Sequence, residues 1–291
     1  MNYFLRIVFT SFLLLKVSSL FSQHNSYQRA LLHLANRKHL EAKYALDSAL
    51  KYERYKVSAE AWFRKGELAL KLAELNENDF ESYLQYNEEA ITSFERVKYF
   101  EMENTPFYTS SNNYIDKIWE GYIKKALAFY DKGAFSNVIT CCNKAKNIYP
   151  EDLNAYLYAG LAAEKLNNTA AVLENYYRLI DSGYYRDFIF FKVMALEKQK
   201  GNYKQVVRLT QLAETIFPEK KYDFFIETVM HLHKLKQFYE AEKLLLASPF
   251  YNSNNIQVLL LLVKNSLYSD KLASAKKYLK KISAKNDFER L

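Results

Sequence analysis

Two stretches, Lys132-Gly133-Ala134-Phe135-Ser136-Asn137-Val138 and Lys200-Gly201-Asn202-Tyr203-Lys204-Gln205-Val206, decide how this chain folds. Each reads Lys-Gly, a small or polar residue, an aromatic, two polar residues and Val, and they lie 68 residues apart. Midway between them, Thr169 and Val172 fill the aromatic and Val columns. Further columns keep the implied interval of 34: Tyr122, Tyr156 and Phe190, then Ala241 and Ala275. Pro150 and Pro218 are two intervals apart, with Tyr184 at the midpoint. A period of that length is one supersecondary unit repeated, too long for a single helix or strand and right for a helix–turn–helix.

On these residues the chain resembles the tetratricopeptide repeat (TPR) family. The same pattern recurs in Ala61-Trp62…Gly66, Tyr156…Gly160 and Gln237-Phe238-Tyr239-Glu240-Ala241. The resemblance covers residues 24–285. It implies an all-α fold, a right-handed superhelical solenoid of about seven antiparallel helix pairs. Gly66 and Gly160 fall where the two helices of a pair cross closely. Gly133 and Gly201 fall in the turn between them, where a helix end favours a left-handed residue. Gly183 lies near a junction between repeats, and Gly121, inside a predicted helix, has no such role.

The pairs are predicted at 24–56, 57–103, 110–152, 153–186, 187–220, 221–254 and 255–288. The second is lengthened by about 12 residues around Leu72 to Tyr83, since Trp62 and Ala90 lie 28 apart where the family places the matching pair 16 apart. Residues 104–109 form a break between residues 23–103 and the regular repeats at 110–291. The last helix, Leu272 to Lys285, repeats Leu272, Ala275, Leu279 and Ile282 at helical spacing, with Lys276, Lys277, Lys280 and Lys281 between them. It reads as the polar-faced cap that ends a solenoid, and the same basic face suits contact with an anionic membrane surface.

Composition agrees. Of 291 residues 49% are hydrophobic, which supports a packed core, and only 6 Gly and 4 Pro leave too little punctuation for a many-turned β fold. The formal charge is +8. Two of those charges, Arg6 and Lys16, sit in the N-terminal segment and leave +6 on the rest. The remaining lysines are interleaved with acids, so no nucleic-acid stripe is expected.

The start, Met1 to Arg6 followed by the apolar run Ile7 to Leu15 and then Phe21-Ser22-Gln23, matches a secretory signal peptide over residues 1–22. Cleavage is expected after Ser22, with no Cys nearby for a lipid anchor. An exported location, periplasmic or envelope-associated, follows as an expectation.

No catalytic motif is present: no phosphate loop, no Gly-x-Ser-x-Gly, no His-Glu-x-x-His. His231 and His233 are two apart and diverge on a helix, so they are not expected to share a metal. Adjacent Cys141 and Cys142 read as packed thiols. No cofactor and no enzymatic activity are expected.

The TPR resemblance further implies that first helices line a concave groove through positions 2, 5, 9 and 12. Carried onto this chain, these are Glu120, Ile123, Leu127 and Tyr130, then Asn154, Leu157, Leu161 and Glu164. The next repeats give Phe188, Phe191, Ala195 and Lys198, then Asp223, Ile226, Met230 and His233. The Lys and Asn that grip a C-terminal carboxylate in some family members are absent from the central positions. The apolar candidates for a peptide-binding groove are Ile123, Leu127, Tyr130, Leu157, Leu161, Phe188, Phe191, Ile226 and Met230, suited to an amphipathic helix or an extended apolar peptide. The functional expectation is a scaffold or adaptor that binds other proteins of an envelope complex. The alternatives are a helical-repeat RNA binder and a membrane-surface or glycan-associated accessory protein.

Overall fold

A computed structural model describes residues 26–288 of the chain; the predicted signal segment lies outside the described residues. All regular structure among them is helical. In order these are α1 (26–35), α2 (His39–Ala49), α3 (Glu53–Lys56), α4 (Ala59–Leu75), α5 (Phe80–Phe100), α6 (Pro106–Asp131), α7 (Phe135–Ile148), α8 (Leu153–Lys165), α9 (Thr169–Asp181), α10 (Asp187–Gln199), α11 (Tyr203–Ile216), α12 (Lys221–Lys234), α13 (Phe238–Ala247), α14 (Pro249–Asn252), α15 (Ile256–Tyr268) and α16 (Leu272–Phe288). A 3-10 turn, Pro218–Lys220, precedes α12.

The chain divides into two compact units. One holds the described residues up to Lys125 with Asn147–Pro150, the other Ala126–Lys146 and Glu151 onward. Within the second unit the fold is a run of helix pairs, α8/α9, α10/α11, α12/α13 and α15/α16, the TPR-like architecture implied by the 34-residue period.

What makes each pair is its turn. Arg37, Gly133, Asn167, Gly201, Lys236 and Asp270 all have φ between 52° and 78°. The hydrogen bonds around them repeat. Gly133 N–H donates to Tyr130 O (3.0 Å) and Ala134 N–H to Phe129 O (2.9 Å). Lys236 N–H donates to His233 O (3.1 Å) and Gln237 N–H to Leu232 O (2.9 Å). Both are Schellman closures, in which a left-handed residue lets the chain satisfy the last carbonyls of the first helix. Only two of the six residues are glycine, so four turns hold a side chain in a conformation that costs roughly 1–2 kcal/mol.

Glycine serves a second purpose where helices cross. A Cβ on Gly66 would lie 2.5 Å from the Phe94 ring, and one on Gly160 would overlap the Tyr176 ring. Phe94 and Tyr176 are fully buried, so neither ring can move aside cheaply. Gly121 approaches the Tyr83 hydroxyl oxygen at 3.0 Å from its ideal Cβ, a contact the sequence reading missed.

In the first unit α4 and α5 run to 17 and 21 residues, against 13 or 14 in α8 to α11. The extra residues of the second pair enter its helices, since only 76–79 separate α4 from α5, and Asp79 caps α5 by accepting from Ser82 N–H (3.3 Å). The expected break at 104–109 is shorter: α6 already begins at Pro106, which needs no donor in a first turn, with Thr105 Oγ1 accepting from Tyr108 N–H (3.4 Å). Lys43 and Lys65 each pair with both Asp47 and Glu89 at 2.6–3.2 Å, tying α2, α4 and α5. Burial pushes the Asp47 carboxyl up, but hydrogen bonds from Lys65 and Lys43 outweigh it and hold the group below its ordinary value.

Two substitutions test this account by urea unfolding. Lys236→Gly should raise stability by about 1 kcal/mol by relieving the left-handed strain. Gly160→Ala should lower it by about 1–3 kcal/mol through overpacking against Tyr176.

Candidate protein-binding face

The turn residue gives each first helix a common origin. Counting back ten positions from it gives Ile123, Leu157, Phe191, Ile226 and Leu260; six gives Leu127, Leu161, Ala195, Met230 and Lys264; three gives Tyr130, Glu164, Lys198, His233 and Leu267. Ile123 belongs to the first unit and is half-buried. The others belong to the second.

Of the candidates there, Leu127, Phe188, Phe191 and Met230 are exposed, with Phe191 at 45%. Tyr130, Leu157 and Leu161 are half-buried, and the Tyr130 ring meets Phe135 edge to face at 5.4 Å. Ile226, at 7% exposure, packs in the core with Phe225 and Val229. It forms part of the floor of a hollow of about 370 Å³, with Phe224 beneath and Phe191, Tyr222, Asp223, Glu227 and Gln257 around it. The Phe191 ring stacks on Phe224 at 5.4 Å, and the Tyr222 hydroxyl lies 2.9 Å from Gln257 Oε1, linking α10, α12 and α15 around this hollow.

The sequence reading stopped one repeat short. Leu260 and Leu267, each 50% exposed, occupy the same registers on α15 as Phe191 and Lys198 on α10. The interval of 34 between Ala241 and Ala275 was the signal that extends the register to this repeat.

Charged residues join successive first helices. Glu164 pairs with Lys192 (2.8 Å) and Lys198 with Glu227 (2.5 Å), each from three before one turn residue to nine before the next. Lys220 pairs with Asp187 and lies over the Phe191 ring at 5.3 Å. In the next repeat the pattern changes: His233 Nε2 lies 2.9 Å from Asn265 Oδ1, whose amide donates to Phe238 O (3.0 Å).

His231 and His233 are both buried and serve separate partners. His231 Nε2 bonds Glu227 (2.9 Å) and its ring stacks on Tyr203 at 5.6 Å. Burial pushes both imidazoles below their ordinary value, with Lys198 adding to the effect at His231 and Lys264 at His233. Cys141 and Cys142 are buried, and burial pushes Cys142 up to about 12, far from a reactive thiolate. Among the described residues no group of three His, Cys, Asp or Glu could hold a metal ion.

A larger hollow, about 920 Å³, lies between the second helices α11 and α13. Val207, Leu232 and Leu244 give it apolar surface, while Lys204, Arg208, Glu240 and Lys243 make it a mixed, charged site unlike the first-helix face.

No family model matches the chain, and no curated protein matches it. Among solved structures it is similar to YrrB, a TPR protein with an unusual peptide-binding site, at 15% identity over 55% of this chain and 82% of that one, with a TM-score of 0.39. It is also similar to a tetratricopeptide repeat protein from Parabacteroides merdae, at 13% identity over 90% of this chain and 93% of that one (TM-score 0.28). A third is the Pseudomonas aeruginosa protein pilF, at 13% identity over 88% of each chain (TM-score 0.28). These likenesses concern fold. On its own turns and helix pairs the chain is a TPR-like helical-repeat protein.

The buried histidines make stability depend on pH. Their folded values lie below the unfolded value of 6.5, so the unfolded chain takes up protons first and stability falls as pH drops below about 6.5. Urea midpoints measured from pH 7.5 to 5.5 should fall, and His233→Gln, which retains a donor for Asn265, should reduce that fall.

Proposed function

We propose that this chain is a non-enzymatic scaffold that holds an amphipathic helix or extended apolar segment of another protein against the first helices of its second unit. The observation that carries the reading is one register of exposed large side chains. Phe191 and Leu260 recur ten before their turns, Leu127 and Met230 six before, and Leu267 three before. Large apolar side chains left in water on one face mark a protein-binding surface more than a solvated one. The 370 Å³ hollow beside Phe191 has room for one apolar side chain, and exposed Asp223 on its rim favours a cation beside that anchor. Burying one such side chain contributes about 1.5–3 kcal/mol, so a few registers suffice for a micromolar complex.

The place of action that fits the N-terminal pattern is the cell envelope after export, where such a scaffold would organise a multiprotein assembly. The same registers argue against base-by-base RNA reading, which needs a polar pair at fixed positions of each repeat; Leu127, Leu161, Ala195 and Met230 share one register here.

A photo-crosslinking residue placed at Met230 or Leu260 in the full chain, expressed in its native host, should yield a defined protein adduct. Placed at Gln211 or Ala247, by the α11/α13 hollow, it should yield none. Phe191→Asp should lower yield at Met230 at least tenfold. Adducts only from Gln211 and Ala247 would move the site to the second helices; none from any position would remove the scaffold reading.

A further inference from the structure

The five lysines from Lys271 to Lys281 divide into two sets. Lys271 pairs with Glu242 (2.6 Å), and Lys281 lies over the Tyr251 ring at 4.5 Å with its Nζ 2.9 Å from the Tyr251 hydroxyl. Both hold α16 against the preceding repeat. Lys276, Lys277 and Lys280 are exposed, and among the described residues none of the three is in an ion pair. From Leu272 to Lys285 the helix contains no acid that could neutralise them.

Helical geometry gathers these charges. At 100° per residue, Ala275, Tyr278 and Ile282 share the side that packs into the core, while Lys276, Lys280 and Lys277 spread over the opposite arc. Leu272 and Leu279 border that arc on one side, 64% and 49% exposed. Exposed Leu267 and Tyr268 lie at the end of α15, just before the turn that leads to Leu272. A terminal cap of a repeat array needs only a polar outer face. Leucines bordering three uncompensated lysines exceed that need.

We propose that the outer face of α16 docks on an anionic lipid surface, with Lys276, Lys277 and Lys280 at the headgroups and Leu272 and Leu279 entering the interface. The charge is complementary, and the combination supplies the two weak signals, electrostatic and apolar, that reversible surface attachment requires. No described helix is long and apolar enough to cross a membrane, so the contact is with its surface. Leu272, Lys276, Lys277, Leu279 and Lys280 all lie on α16 and take no part in the registers on α10, α12 and α15.

The test is flotation of the full chain with large vesicles of phosphatidylcholine alone, and with about one quarter phosphatidylglycerol, at low salt. Binding is expected only to the anionic vesicles and should weaken as salt rises. Lys276→Glu, Lys277→Glu and Lys280→Glu together should cut it by about a hundredfold or more, from about fivefold per lysine lost. Leu272→Ser with Leu279→Ser should cut it about tenfold at unchanged circular dichroism. Equal binding to both vesicle types, or binding unaffected by the triple variant, overturns the proposal. So does a chain that ignores vesicles but self-associates in sedimentation and becomes monomeric with the two serines, since that assigns the face to a second copy.

Discussion

Everything regular in this protein depends on a left-handed residue at the end of a first helix. That residue reverses the chain, satisfies the last carbonyls of one helix and starts the next at a set angle. Because six such turns share one hydrogen-bond pattern, residues at equal distances before them share a register on their helices. The period of 34 is the sequence shadow of this constraint. Where it is relaxed, between α4 and α5, Asn76 has φ −110° and the helices grow longer.

From the turn follow the two kinds of contact that shape the first-helix face. Small residues such as Gly160 let paired helices approach until Tyr176 fills the space between them. Ion pairs then bridge successive first helices: Glu164 with Lys192, and Lys198 with Glu227. The signs reverse from one junction to the next, so each pair is specific to its place, and partly exposed pairs of this kind contribute little to stability, typically under about 1 kcal/mol. Their effect is on register. With long charged side chains engaged along the sides, Phe191, Met230 and Leu260 are left facing water.

Much of this was legible in the residues. Gly133 and Gly201 marked two turns outright, and the aromatic and Val columns carried the period across Thr169 and Val172 where glycine is absent. The α15 register was missed although Ala241 and Ala275 already carried the 34-residue interval into the last pair. Ile226 shares the register of Phe191 but is buried, at the hollow it lines with Tyr222, Phe224 and Gln257, and no periodicity encodes how far neighbours lean over a position.

The sequence by itself determined the repeat, the helix pairs and which positions of each first helix share a face, because these follow from local hydrogen bonding and the helical period. Only the tertiary structure decided which of those positions remain open, which lysines of α16 are engaged and which are free, and where hollows lie. Those properties depend on side chains from three or more helices meeting at one place, and a single chain read in order carries no distances between them.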